Sequence, residues 1–283
     1  MEVNGSKLNL ASAMTVPSYK PAQAPANRSR SGAKLALVIP ALREAPNLGP
    51  LLERVRRALR RVPIPWEVIV VDDDSRDGTE EIVAAIARRD ARVRLVVRRG
   101  HRGLAGAILH GWRHTDATIL GAMDADGQHP PEVLPELFAA VGRGCDVAIA
   151  SRYAKGARRA ANPVRRLMSL AAIMAARPLP PMSPRVLDPL SGFFMVRRQS
   201  VENILFQTTG FKLLLEILVC GRIAGVEEIP LRFGQRQSGQ SKLTLAVARD
   251  YLALLTRMYR ARAVLRRTEP SAAVADPWAP RIQ

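Results

Sequence analysis

The chain has 283 residues, 47% hydrophobic and 24% charged, which allows one large α/β domain with appendages and excludes wholesale disorder. Lys and Arg outnumber Asp and Glu by 43 to 25, and the resulting net charge of +18 favours an anionic partner. Aromatics are only 5%, too few for a nucleic-acid surface built on base stacking, so a membrane surface or a phosphate-rich substrate remains.

Residues 1–33 are rich in Ser, Pro, Ala and Asn without periodicity and read as a disordered tail. Strand and helix then alternate. Lys34–Ile39 is a continuous apolar run that Pro40 is expected to stop, as in a buried parallel strand. Asn47–Arg61 carries Leu and Val at helical spacing. Trp66–Val71 is a second strand, Thr79–Arg89 a helix, Arg92–Arg98 a third strand and Gly106–Thr115 a helix. Thr118–Met123 is a fourth strand, Pro131–Gly142 a helix and Asp146–Ala150 a fifth strand. Short connections between alternating elements predict a doubly wound α/β sheet. Beyond Ser151 the regularity breaks. Residues 154–186 are basic and Pro-rich. They are followed by an apolar run at Phe193–Val196, a helix near Phe211–Ala224 and a strand near Val226–Phe233. A Gly/Gln/Ser loop at 234–241 leads into a last helix from Leu243 to about Arg262. The expected division is a tail at 1–33, a catalytic domain at 34–242, an amphipathic helix at 243–266 and a loose end at 267–283. Segment 155–186 is its acceptor- or membrane-facing part.

Cys145 and Cys220 stand far apart in apolar surroundings and read as small buried hydrophobes, in keeping with a reducing compartment. The four histidines show no metal-binding spacing, and Trp66 and Trp112 read as core. No stretch reaches the roughly 18 apolar residues of a spanning helix, and the N-terminus makes a poor signal peptide. The expectation is a soluble or peripheral protein.

Ligands of an open parallel sheet bind beyond the carboxyl ends of its strands. Three chemistry-bearing segments fall at such ends: Pro40–Glu44, Asp72–Asp77 and Asp124–Gln128. In Asp124-Ala125-Asp126-Gly127-Gln128, two carboxylates and an amide oxygen form a hard donor set that suits Mg²⁺ or Mn²⁺ held with a diphosphate. Such a cation neutralises charge on a departing nucleoside diphosphate. The Asp72–Asp77 loop offers Asp73 to the N–H donors of a nucleobase, while Asp77 and Thr79 cap the next helix. The loop Arg99–Gly106, with Gly103 at its centre, is either a close approach to phosphate or a tight turn. Glu216, among leucines, calls for an internal partner if buried.

These motifs resemble family 2 glycosyltransferases of GT-A fold, and among them the polyprenol- or dolichol-phosphate mannose synthases. The matching residues are Val70–Thr79, Gly103–Ala107, Met123–Glu132, Ser151–Tyr153, Asp188–Phe194, Gly210–Glu216 and Gly239–Leu243. The resemblance spans roughly 35–260. It implies that Pro40, Leu42, Glu44, Val71 and Asp73 hold the nucleoside. Asp124, Ala125 and Asp126 contact the diphosphate, and Gln128 completes the metal shell begun by Asp124 and Asp126. Arg152 faces the sugar or the acceptor phosphate, Arg236 and Lys242 fold over the diphosphate, and Arg165 and Ser169 meet the lipid phosphate. Leu42 and Arg43 stand where the family usually has an aromatic and Asn, and Leu170 where a basic residue is common.

The implied reaction moves mannose from GDP-mannose to a polyprenyl monophosphate. Because that phosphate is largely dianionic near neutrality, with its second pKa about 6, it attacks without a protein base, and one displacement inverts the anomeric centre. The implied setting is the cytoplasmic face of a membrane. Anionic headgroups there bind segment 155–180 and the final helix, and a membrane-protein partner is allowed. Nucleic acid is not expected. The alternatives are a family 2 enzyme using UDP-glucose or a soluble glycan acceptor and, more remotely, a non-enzymatic basic binding protein.

Overall fold

A computed structural model describes residues 34–100, 102–157, 163–176, 179, 186–206, 212–231, 251–256 and 258–259. Seven strands form one sheet: β1 (Leu35–Ala41), β2 (Trp66–Asp72), β3 (Val93–Val97), β4 (Ile119–Ala122), β5 (Val147–Ser151), β6 (Phe194–Arg197) and β7 (Val226–Pro230). Six α-helices accompany them: α1 (Ala45–Leu59), α2 (Thr79–Ala87), α3 (Leu104–Arg113), α4 (Leu134–Gly142), α5 (Pro163–Ala176) and α6 (Leu213–Cys220). Segments 251–256 and 258–259 are also helical. The strand order is β3-β2-β1-β4-β6-β5-β7. β6 runs antiparallel to both its neighbours, and every other pairing is parallel.

The expected doubly wound sheet is present, with β6 as its one reversed strand. β1 is buried along its whole length because helices cover both faces. Its odd-numbered side chains Leu35, Leu37 and Ile39 meet α1, α2 and α4 in one core. Ala36 and Val38 meet α3 and α6 in the other. A third apolar cluster joins α5, α6 and the 251–258 segment through Ile173, Leu215, Tyr251 and Leu254. Trp66 and Trp112 are both core, as expected.

Pro40 does not stop β1, which continues to Ala41. The reason lies in the ladder. Val38 O accepts from Met123 N, so even-numbered residues of β1 face β4. Pairing with β4 ends at Val38–Ala122, so no strand asks for the N–H that Pro40 lacks. Beyond that point β1 and β4 diverge, and there the strand order reverses, opening the crevice in which such sheets bind ligands.

Helix boundaries shift by a few residues. α1 begins at Ala45, with Pro46 in its first turn, where a missing N–H is harmless. Pro131–Val133 forms a 3-10 turn ahead of α4 instead of the helix's first turn. The loop 234–241 and the start of the last helix lie outside the described residues.

Candidate active site

Loops after β1, β2, β4 and β5 meet along one edge of the sheet. The β2 loop is shaped by its own carboxylates. Asp72 accepts from the Ser75 N–H at 3.0 Å and from the Ser75 hydroxyl. The Ser75 Oγ in turn accepts from the Arg43 N–H at 2.9 Å, tying the β1 loop to the β2 loop. These bonds hold Arg43, Asp74 and Arg76 at φ values of 60°, 59° and 53°, a left-handed region that costs a non-glycine residue roughly 1 kcal/mol or more. Asp77 accepts from the Ala45 N–H at 3.1 Å and the Thr79 N–H at 3.2 Å, and so caps the first turns of both α1 and α2. Thr79 is the first residue of α2, and its hydroxyl donates to Asp77 at 2.7 Å. Burial pushes the Asp77 carboxyl up, but the hydrogen bonds from Thr79 and Ala45 outweigh it and hold the group below the usual carboxylate range.

Asp73 is buried, and its carboxylate is gripped by Arg98 through bonds of 2.8 and 2.7 Å. The Gly103 N–H donates to the same carboxylate at 3.0 Å, and the Gly103 carbonyl accepts from Arg98. Gly103 therefore spends its N–H on Asp73 at the start of α3. Gly106 makes room for this arrangement, since a Cβ there would lie 2.5 Å from Arg98 Nη1. An open cleft of about 780 Å³ runs along this side, lined by Arg43, Asp74, Arg76, Asp77 and Arg102 among others. Pro40 and Val71 are paired in the sheet beneath it, and Leu42 and Glu44 are half-buried in the β1 loop. Glu44 accepts from the Asn47 amide at 2.7 Å.

Asp124 and Asp126 follow β4. Asp126 is buried and accepts from the Gln128 N–H at 3.1 Å. Asp124 lies against Gly192, where a Cβ would sit 2.7 Å from Oδ2, so only glycine leaves the carboxylate its place. His129 is buried against Phe193, with ring centroids 5.5 Å apart, and its Nδ1 is 3.7 Å from Asp124 Oδ2. Burial pushes the His129 pKa down to about 4, so the ring is neutral near pH 7 and does not offset the carboxylates. Among the described residues no group of three or more His, Cys, Asp or Glu converges as a metal site. Two carboxylates and an amide still fit a hard divalent cation of the kind that takes its remaining ligands from water and a substrate diphosphate.

Arg152 follows β5. Its guanidinium bonds Asp188 at 2.8 and 2.7 Å, and its backbone N–H donates to the same carboxylate at 2.9 Å. The Arg152 side chain is 28% exposed and that of Asp188 0%. Glu228 on β7 holds the Asp188 loop from behind, accepting from the N–H groups of Leu187 and Asp188 at 3.1 and 2.8 Å. Burial pushes the Glu228 carboxyl up from its ordinary value. Asp124 acts electrostatically on Arg152, which places the β4 and β5 loops in one site.

α5 carries both Arg165 and Ser169, one turn apart on one helix, and Ser169 is half-buried. The Arg165 side chain lies outside the described residues, as do Arg236 and Lys242. Glu216 is buried within α6, as its leucine-rich setting implied. Asp188, Glu228, His129 and Lys212 were given no role by the sequence reading. The first, third and fourth stand in motifs that carry the resemblance, but 36 residues separate Arg152 from Asp188, and no spacing rule joins them. Among the described residues no helix is long and apolar enough to cross a membrane.

A switch-point crevice beside an Asp-Ala-Asp turn and a half-buried arginine defines the GT-A class of nucleotide-sugar folds. Residues 36–205 match Glycosyl transferase family 2, and the chain belongs to that family. It is similar to the dolichol-phosphate mannosyltransferase of Pyrococcus furiosus, with 38% identity over 80% of this chain and 64% of that protein. The chain therefore spans less than two thirds of that relative's length. The dolichol-phosphate mannosyltransferase of Mycosarcoma maydis is 37% identical over 80% of this chain and 79% of that protein. Among solved structures, glucosyl-3-phosphoglycerate synthase from Mycobacterium tuberculosis bound to UDP shares the fold, with TM-score 0.62 and 21% identity over 80% of each chain. The same enzyme with Mn²⁺, UDP-glucose and phosphoglyceric acid gives TM-score 0.56 and 20% identity, covering 86% of this chain and 82% of that one.

Proposed function

We propose that the chain transfers mannose from GDP-mannose to a polyprenyl monophosphate, with inversion, using Mg²⁺ or Mn²⁺ at Asp124, Asp126 and Gln128. The observation that carries this reading is the buried Arg152–Asp188 pair set beside the Asp124–Asp126 turn. A guanidinium held in place by Asp188, within electrostatic reach of Asp124, supports a phosphate-binding role for Arg152 beside that turn. The names of the 37–38% identical relatives, dolichol-phosphate mannosyltransferases, support mannose transfer to a polyprenyl-type phosphate.

In this mechanism the β1 and β2 loops seat the nucleoside, and Asp124 and Asp126 place the diphosphate. A bound divalent cation supplies Lewis-acid stabilisation of the leaving diphosphate. Arg152 aligns the acceptor phosphate behind the anomeric carbon. A phosphate oxygen forms the new bond to that carbon as the carbon–oxygen bond to the diphosphate breaks, and the electron pair leaves with GDP. The acceptor is already dianionic near neutrality, so no side chain need take a proton. The protein works from the cytoplasmic face of a membrane, where its net charge of +18 meets anionic headgroups.

The test is a panel of GDP-mannose, UDP-glucose and related donors against farnesyl phosphate and soluble acceptors, with each cation and with chelator. Expected is mannosyl transfer from GDP-mannose to farnesyl phosphate that stops on chelation. A preference for UDP-glucose or for a soluble acceptor would overturn the assignment.

A further inference from the structure

We propose that Lys212, at the start of α6, is a second cation of the acceptor-phosphate seat and acts beside Arg152. This rests on the polyprenyl-phosphate reading above.

Lys212 is half-buried immediately before Leu213, where α6 begins. Its Nζ lies 5.2 Å from the centroid of the Tyr251 ring. Tyr251 is itself fixed, because its hydroxyl donates to the Ala172 carbonyl of α5 at 2.5 Å. Ala172 is three residues beyond Ser169 on α5, so Tyr251 links the ammonium to that helix. On its other side Lys212 feels the charges of Arg152 and Asp188. Three elements distant in sequence thus bring two cations to one place.

The carboxylate that acts on both cations is already committed. Asp188 acts electrostatically on Lys212, and Arg152 already engages both its oxygens. Among the described residues the Lys212 ammonium has no hydrogen-bond or ion-pair partner, only the face of an aromatic ring. Burial and the neighbouring guanidinium push its pKa down to about 8. A half-buried lysine beside an arginine weakens the fold unless something anionic joins them. The apolar cluster of Ile173, Leu190, Leu215, Tyr251 and Leu254 adjoins the same spot. Two cations bordered by apolar surface suit a phosphate monoester with a hydrocarbon tail.

The position also gives a pH signature. The acceptor stays dianionic well above its second pKa of about 6, so a loss of affinity on the alkaline side must come from the protein. The titratable and charged groups around Lys212 come from the β5 loop, the Asp188 loop, β7, α6 and the 251–259 segment. Arg152 keeps its charge throughout. Burial pushes the Tyr251 hydroxyl up from its ordinary value. Asp188, Glu216 and Glu228 are carboxyls, and Tyr153 and Tyr259 are the remaining phenols nearby. Lys212 loses its charge as pH rises through about 8, and with it one contact to the phosphate.

The experiment titrates farnesyl phosphate and, separately, GDP-mannose into the full chain and its K212Q and K212R variants at pH 7 and pH 9.5. Transfer rates and thermal unfolding are measured alongside. At pH 7, K212Q is expected to weaken farnesyl phosphate binding by about tenfold or more, the size of a lost charged hydrogen bond. GDP-mannose affinity should not change, K212R should retain most of the binding, and K212Q should unfold no earlier than the parent. At pH 9.5 the parent should fall to the level of K212Q while K212R stays tighter. Equal farnesyl phosphate affinity in parent and K212Q at pH 7, or a gap between them that persists at pH 9.5, overturns the proposal. If the parent binds farnesyl phosphate but transfers nothing to it, the mannosyltransferase reading fails, and the binding data alone decide the role of Lys212. If the parent transfers and K212Q matches it in acceptor KM, the role of Lys212 fails and the enzymatic reading stands.

Discussion

On the β1–β2 side of the rim, three carboxylates are closed by donors of their own chain. Asp72 is held by Ser75, Asp73 by Arg98 and Gly103, and Asp77 by Ala45 and Thr79. On the β5 side the order is inverted. There a cation, Arg152, faces the site, a buried carboxylate holds it from behind, and Glu228 holds the loop of that carboxylate. The first arrangement spends charge on backbone shape, fixing a strained loop at the mouth of the cleft. The second spends backbone and carboxylate on holding charge in place. Acidic density in a sequence is therefore not one signal, and the same residue type fixes a loop here and backs an arginine there.

The largest effect should come from the turn between the two sides. Asp126→Asn keeps the size and the acceptor for the Gln128 N–H but removes a charge from the cation's donor set. Mannosyl transfer to farnesyl phosphate should fall by about 100-fold or more, while thermal unfolding moves by only a few degrees. Initial rates of purified protein measure the first and calorimetry the second. Retained activity would break the division of labour between the rim's two sides.

Next comes the support on the β5 side. Asp188→Asn leaves Arg152, 28% exposed, without its counter-charge. Breaking a buried pair this way costs about 3 kcal/mol, the low end of the range because the arginine keeps some water. Urea unfolding reads the loss. Adding Arg152→Met to Asp188→Asn should restore part of the stability but not transfer, and a double-mutant cycle separates the pair's coupling from the cost of an orphaned charge. Additive losses would mean that the two side chains do not act as a unit.

How much of this was legible in the sequence varies with the range of the interaction. The β1 to β5 alternation and the Asp124–Gln128 turn are local patterns, and period and strand-end position locate them. β6 was visible only as an apolar run at Phe193–Val196, because its reversed direction depends on pairing with β4 and β5 rather than on its own residues. Pro40 was misplaced for the same reason: whether proline ends a strand depends on whether a neighbour needs its N–H, and the divergence of β4 decides that. Arg98 was assigned to a strand end with no hint that it would grip Asp73, and Gly106 betrays the contact only once the Cβ clash is known. Asp188 and Glu228 lie 36 and 76 residues beyond Arg152, and long-range ion pairs leave no periodicity to read.

The smallest effect tests the β1–β2 side. Asp77 accepts the first N–H groups of α1 and α2 together, so one side chain supplies two helix caps. Capping carboxylates of this kind are worth about 1 kcal/mol when replaced by alanine. Asp77→Ala should lower stability by about that much at pH 7, measured by urea unfolding, and Asp77→Asn, which keeps an acceptor oxygen, should lose less. The pH dependence follows from the direction of its shift. The folded carboxyl titrates below its unfolded value of about 3.9, because the bonds from Thr79 and Ala45 outweigh the opposing effect of burial. Its contribution is complete above that unfolded value and is lost as pH falls through the folded one. The gap between parent and Asp77→Ala should therefore be level from pH 7 to about pH 5 and shrink on further acidification. A gap that grows in acid would mean that Asp77 is kept for its charge toward a ligand rather than for the two helix ends it closes.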